Sequence, residues 1–87
     1  MMDKLEQYRK KVDECDDVIL KALTERVKIC VAIGLVKKKR GKSVRDISRE
    51  NEVYKRVREK SVELGLDSLK VEAVYHEIVN MCSAVQE

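Results

Sequence analysis

Positions 5, 8, 12, 15, 19, 22, 26, 29, 33 and 36 step alternately by three and four. Nine of these ten are apolar: Leu5, Tyr8, Val12, Cys15, Ile19, Ala22, Ile29, Ile33 and Val36. That spacing is one face of a single long helix, predicted over 5–39. Arg26 is the one polar rung. The run Lys37, Lys38, Lys39, Arg40 followed by Gly41 is a helix stop, with cations at the negative end of the dipole and then a residue that tolerates a left-handed turn. Gly34 falls inside the helix and costs about 1 kcal/mol relative to alanine. A second periodic face, Ile47, Glu50, Tyr54, Val57, Ser61 and Leu64, predicts a helix that begins between Ser43 and Ser48 and ends at Gly65. A third, Val71, Val74, Ile78, Met81 and Val85 with Tyr75 and Cys82 alongside, predicts a helix capped by Asp67 or Ser68. The fold class is therefore all-α, three helices in one domain over residues 1–87.

Length adds a constraint. About 35 residues at ~1.5 Å each make a helix ~50 Å long. A compact globule of this size is only about 30 Å across. The first helix overhangs its own domain, and its apolar stripe runs on into the overhang. A lone chain of 87 residues also has little core. A second copy is expected to cover the stripe, giving an intertwined homodimer with two-fold symmetry.

Several polar residues interrupt these faces. Arg26 cannot shed its proton, so burying it calls for an anion. That anion is either a protein carboxylate, Glu50 or Asp46 in a structural ion pair, or a ligand. Lys37 follows Arg26 by eleven residues, about three turns, on a nearby side. Arg9 precedes Arg26 by seventeen residues, about 25 Å along the axis, so one helix cannot bring both to a small ligand. In an antiparallel dimer, Arg9 of one subunit reaches the Arg26 region of the other. Glu50 breaks the face of the second helix, with Asp46 one turn earlier and Arg49 beside it; Gln86 falls just past Val85. Singly, each has an ordinary explanation: Arg9 and Lys37 as solvated cations, Lys37–Lys42 as a solvated helix end, Gln86 as a frayed terminus, His76 as unused surface. Their conjunction is what points to a site.

Charge and composition narrow the classes. A net charge of +3 suits a small anionic ligand without demanding nucleic acid. No apolar run reaches the roughly 18 residues of a membrane span, and the polar segment 1–11 is no secretory signal. Cys15, Cys30 and Cys82 are widely spaced, with no C-x-x-C and a single histidine. No zinc site is expected, and the thiols read as small, buried and free, as in a reducing cytoplasm.

The segments L-E-Q-Y-R around Arg9, L-T-E-R ending at Arg26, A-I-G-L-V-K ending at Lys37, V-R-D-I-S-R-E over 44–50 and C-S-A-V-Q ending at Gln86 resemble, in this order, the all-helical AroQ-type chorismate mutases. The resemblance spans essentially the whole chain. It implies an intertwined dimer of three-helix chains that converts chorismate to prephenate for phenylalanine and tyrosine synthesis, without a cofactor. It further implies that Arg26 binds one substrate carboxylate and Arg9 of the other subunit the second. Lys37 and Gln86 would bond the ether oxygen, and Glu50 the ring hydroxyl, with Asp46 and Arg49 helping to place the substrate. Cys82 stands where many relatives carry serine; a thiol is a weak donor, so it is left out of the expected site. Three other functions compete: an isochorismate-pyruvate lyase on the same scaffold, a basic helical nucleic-acid-binding module, and a plain helical dimerisation module.

Overall fold

The computed structural model describes residues 3–87 and contains three helices: α1 (Lys4–Lys39), α2 (Ile47–Glu63) and α3 (Ser68–Ala84). The helix starts follow from one residue type. Asp3, Asp46 and Asp67 each sit at an N-cap in extended backbone and accept hydrogen bonds from first-turn amides: Glu6 N at 2.8 Å, Arg49 N at 3.0 Å, and Leu69 N and Lys70 N at 3.2 Å. The first two stops also share a device. Gly41 (φ +66°) and Gly65 (φ +74°) adopt the left-handed conformation that closes a helix. Lys42 N then bonds Lys37 O at 2.9 Å, and Leu66 N bonds Ser61 O at 2.9 Å. The second helix is tighter than its expected limits, starting at Ile47 and ending two residues before Gly65.

α3 lies between its neighbours, packing on α2 and on the C-terminal half of α1. The buried residues are few: Cys30, Gly34, Tyr54, Val57, Ser61, Val79 and Cys82. The Tyr54 ring stacks on His76 with centroids 4.1 Å apart, and Arg58 pairs with Glu72 at 2.7 Å; both contacts join α2 to α3. Burial pushes the Tyr54 phenol above its ordinary range. His76, expected to be unused surface, is thus a packing residue, although its side chain is half exposed.

The molecule is as elongated as the length of its first helix requires. The molecule measures 59 × 25 × 15 Å with a radius of gyration of 16.6 Å, against about 12 Å for a compact chain of this size. The N-terminal half of α1 projects from the rest, and Leu5, Tyr8, Val12 and Ile19 along it are each more than half exposed.

Two apolar faces sit differently from their expected orientation. α1 turns inward Leu23, Arg26, Val27, Cys30, Gly34 and Lys37, so Arg26 is the only member of the ten-position stripe on the packed edge. On α3, Val74, Met81 and Val85 are exposed, while Tyr75, Ile78, Val79 and Cys82 face the core. α2 keeps Tyr54, Val57 and Ser61 inside but exposes Ile47 and Leu64. The reason is geometric. These helices are apolar on more than one side, and one chain does not supply a neighbour for all of them. Cys15 is likewise exposed rather than buried. Among the described residues no helix is long and apolar enough to cross a membrane.

Asp67 takes two first-turn amides of α3, so Asp67→Ala should lower stability by about 1 kcal/mol. The urea midpoint at fixed protein concentration measures it, and an unchanged midpoint would contradict the capping role.

Candidate active site

A cavity of about 300 Å³ opens where α1, the start of α2 and the end of α3 converge. α1 lends it Arg26, Ile29, Cys30, Ile33 and Lys37, which recur at three to four residues and so face one way. The 44–50 segment and α2 supply Val44, Asp46, Arg49, Glu50 and Val53, and the end of α3 supplies Val79, Cys82, Ser83 and Gln86. Six of the seven residues singled out in the sequence, Arg26, Lys37, Asp46, Arg49, Glu50 and Gln86, therefore surround one space. Arg9 does not. It is exposed on the projecting part of α1, where it donates to Glu6 at 3.1 Å.

Arg26 enters the cavity half-buried. Its Nη1 donates to the Cys82 sulfur at 2.8 Å and lies 3.9 Å from the Cys30 sulfur. Among the described residues no carboxylate pairs with it. Sulfur is a weak acceptor and supplies no countercharge here. Desolvation, reinforced by Cys82, pushes the Cys30 thiol up and keeps it neutral. The structural ion pair with Glu50 or Asp46 is thus not formed, and the guanidinium charge is left to the cavity.

Lys37 and Gln86 form the second feature. Lys37 Nζ donates to Val44 O at 2.5 Å and to Gln86 Oε1 at 2.7 Å. An ammonium can only donate, so the Gln86 oxygen must face it, and the Gln86 NH₂ remains as a donor. Lys37 has a third N–H, for which no acceptor stands among the described residues. Gly34 permits this contact. A Cβ there would lie 2.9 Å from the Gln86 Cα, closer than real side chains approach backbone. The glycine that weakens α1 in isolation lets the chain's C-terminal segment lie against it.

Glu50 is held from outside. Arg45 Nε and Nη2 donate to its two oxygens at 2.8 and 2.5 Å, and these bonds push the Arg45 guanidinium up from its ordinary range. Asp46 spends Oδ1 on the α2 cap, and the Arg49 side chain reaches Glu52 at 3.1 Å on the surface. The sequence did not single out Arg45, because a pair five residues apart across a helix start follows no helical spacing. Cys82, left out on its weakness as a donor, is in the wall as an acceptor for Arg26. What the sequence offered for Cys82 was its place alongside the apolar face of the third helix.

The arrangement suits a small anion with an oxygen that gains negative charge. It offers an unneutralised guanidinium, a lysine and amide joined as adjacent donors, a fixed carboxylate acceptor and apolar walls.

Comparison with known proteins agrees with this chemistry. Residues 8–87 match the family described as chorismate mutase type II. A chorismate mutase of Methanocaldococcus jannaschii is 36% identical over 67 residues, 77% of this chain and 68% of that protein. A bifunctional chorismate mutase/prephenate dehydratase of Aquifex aeolicus is 29% identical over 89 residues, 99% of this chain but 25% of its own length. The chain thus spans a quarter of the Aquifex protein. A solved structure of a conserved hypothetical protein from Pyrococcus furiosus superposes with a TM-score of 0.77 at 26% identity, covering 100% of both chains.

Gly34 provides a test of the site's construction. Helix propensity alone would make Gly34→Ala stabilising by about 1 kcal/mol. Contact with the Gln86 backbone should reverse the sign, to a net loss of about 1 kcal/mol or more. Urea unfolding decides between them, and a stabilised variant would contradict the close approach.

Proposed function

The chain belongs to the chorismate mutase type II family, and on that premise we propose that this cavity converts chorismate to prephenate by intramolecular rearrangement. The observation that carries the reading is the Lys37–Gln86 contact at 2.7 Å, in the same cavity as an Arg26 that no carboxylate among the described residues neutralises. Chorismate carries two carboxylates, and its reaction makes and breaks bonds within one molecule. It needs no nucleophile and no proton shuttle. What a protein supplies is conformation and charge.

Arg26 clamps one carboxylate. The second falls to Arg9 of the partner subunit, because in its own chain Arg9 is about 25 Å from Arg26 along α1. Holding both ends favours the compact conformer in which the reacting carbons meet. As the C–O bond breaks, negative charge grows on the ether oxygen. The free N–H of Lys37 and the amide of Gln86 are aimed at that charge, which is larger in the transition state than in the ground state. Glu50 accepts the ring hydroxyl, with Asp46 and Arg49 completing that wall.

The same proposal makes the working form a homodimer. The exposed Leu5, Tyr8, Val12 and Ile19 stripe and the exposed Val74, Met81 and Val85 are apolar surface that one chain leaves in water. An antiparallel second copy buries such surface and brings Arg9 to the cavity of its neighbour. Residues 1–87 act as one domain, in the cytoplasm, with no nucleic-acid or membrane partner.

Lys37→Ala should reduce kcat by about 10²–10³-fold, the usual loss for one transition-state donor. Chorismate disappearance with product identification measures it. Prephenate from the wild type supports the assignment; inert chorismate together with pyruvate released from isochorismate would move it to a lyase, and no reaction with either would end it. Arg9→Ala and Arg26→Ala, each inactive alone, should regain activity on subunit exchange, since one of the two mixed sites is then intact. Proven heterodimers that stay inactive would refute the shared site.

A further inference from the structure

The segment joining α1 to α2 touches two functional side chains with consecutive residues. The Val44 carbonyl accepts from Lys37, and the Arg45 side chain grips Glu50. We propose that Arg45 is a positioning residue, whose guanidinium fork sets the plane of the Glu50 carboxylate so that its remaining lone pairs accept the substrate's ring hydroxyl. This rests on the reading of Glu50 given above.

The geometry is that of a two-point clamp. Arg45 Nε meets Oε2 at 2.8 Å and Nη2 meets Oε1 at 2.5 Å, one donor to each oxygen. Such paired bonds fix orientation as well as proximity. The last torsion of a glutamate is otherwise broad, so a single bond would leave the carboxylate plane free to turn. Each ionised oxygen has room for two donors. Arg45 occupies one place on each, and one on each is left.

Exposure says from which side the clamp comes. The Glu50 side chain is 14% exposed and that of Arg45 49%. Glu50 borders the main cavity, whereas Arg45 does not; it borders an adjoining hollow with Lys42, Ser43 and Ile47, which shares Lys37 and Asp46 with the main cavity. Arg45 therefore holds Glu50 from the solvent side and does not occupy the substrate space. No other cation pairs with Glu50 among the described residues: Arg49 goes to Glu52, and Lys37 to Val44 and Gln86. Exposed ion pairs generally contribute little. This one differs because its acceptor is largely buried and its geometry is bidentate.

The test is a double-mutant cycle on the full chain, reading kcat and KM with chorismate. Arg45→Ala should lower kcat/KM about 10- to 100-fold, the scale of a misplaced contact group. In a Glu50→Gln background the same change should cost no more than about twofold, because the group through which it acts is already altered. Arg45→Lys keeps the charge without the fork and should recover only part of the loss. Equal losses in both backgrounds, or Arg45→Lys at the wild-type level, would overturn the proposal. An analogue lacking the ring hydroxyl checks the underlying reading separately. If Glu50→Gln slows that analogue as much as chorismate, the hydroxyl assignment fails, while the cycle still reports whether Arg45 acts through Glu50.

Discussion

A guanidinium is a strong, permanent cation, and in this fold that of Arg26 meets two sulfur atoms and, among the described residues, no carboxylate. Placing a charge in a half-buried setting without a partner is unfavourable for folding. The arrangement is sustained by the surrounding helices and by the cavity's access to water. It leaves a positive field ready for a ligand that brings its own anion. The rest of the site is organised around that field. Carboxylates capable of neutralising Arg26 are nearby but committed elsewhere: Glu50 to Arg45, and Asp46 to the α2 cap.

The second constraint is the approach of the C-terminal segment to α1. Lys37 could serve as a donor only if held in place, and it is held by a backbone carbonyl and an amide oxygen. Both come from segments that fold back on α1. Gly34 gives up helix stability to make room for one of them. Local weakness in α1 and functional geometry at Gln86 are thus the same feature seen from two ends of the chain.

Much of this was legible in the sequence. Three helices follow from periodicity, from the cap offered by Asp67 or Ser68 and from glycines at Gly41 and Gly65, whereas the caps at Asp3 and Asp46 emerge only in the structure. The overhang of α1 followed from its length alone. Arg26 and Glu50 stood out on apolar faces, and Lys37, Asp46, Arg49 and Gln86 joined them through their nearby positions and the family resemblance. The orientation of the faces did not follow. Apolar side chains lie on more than one side of α1 and α3, and periodicity finds the longest stripe, not the one that meets a neighbour within the chain. Arg45 was not legible either. Its role depends on how the chain turns into α2, which no spacing rule describes. The value of Gly34 required knowing what lies beside it.

A site that works as proposed is shaped and charged for a cyclic, dianionic transition state rather than for an extended substrate. Calorimetric titration with a stable bicyclic dicarboxylate of that shape tests it most directly. The expected result is binding about 10²-fold or more tighter than chorismate, at one molecule per site, and lost in Arg26→Ala. Binding no tighter than that of chorismate, or undiminished without the guanidinium of Arg26, would contradict it.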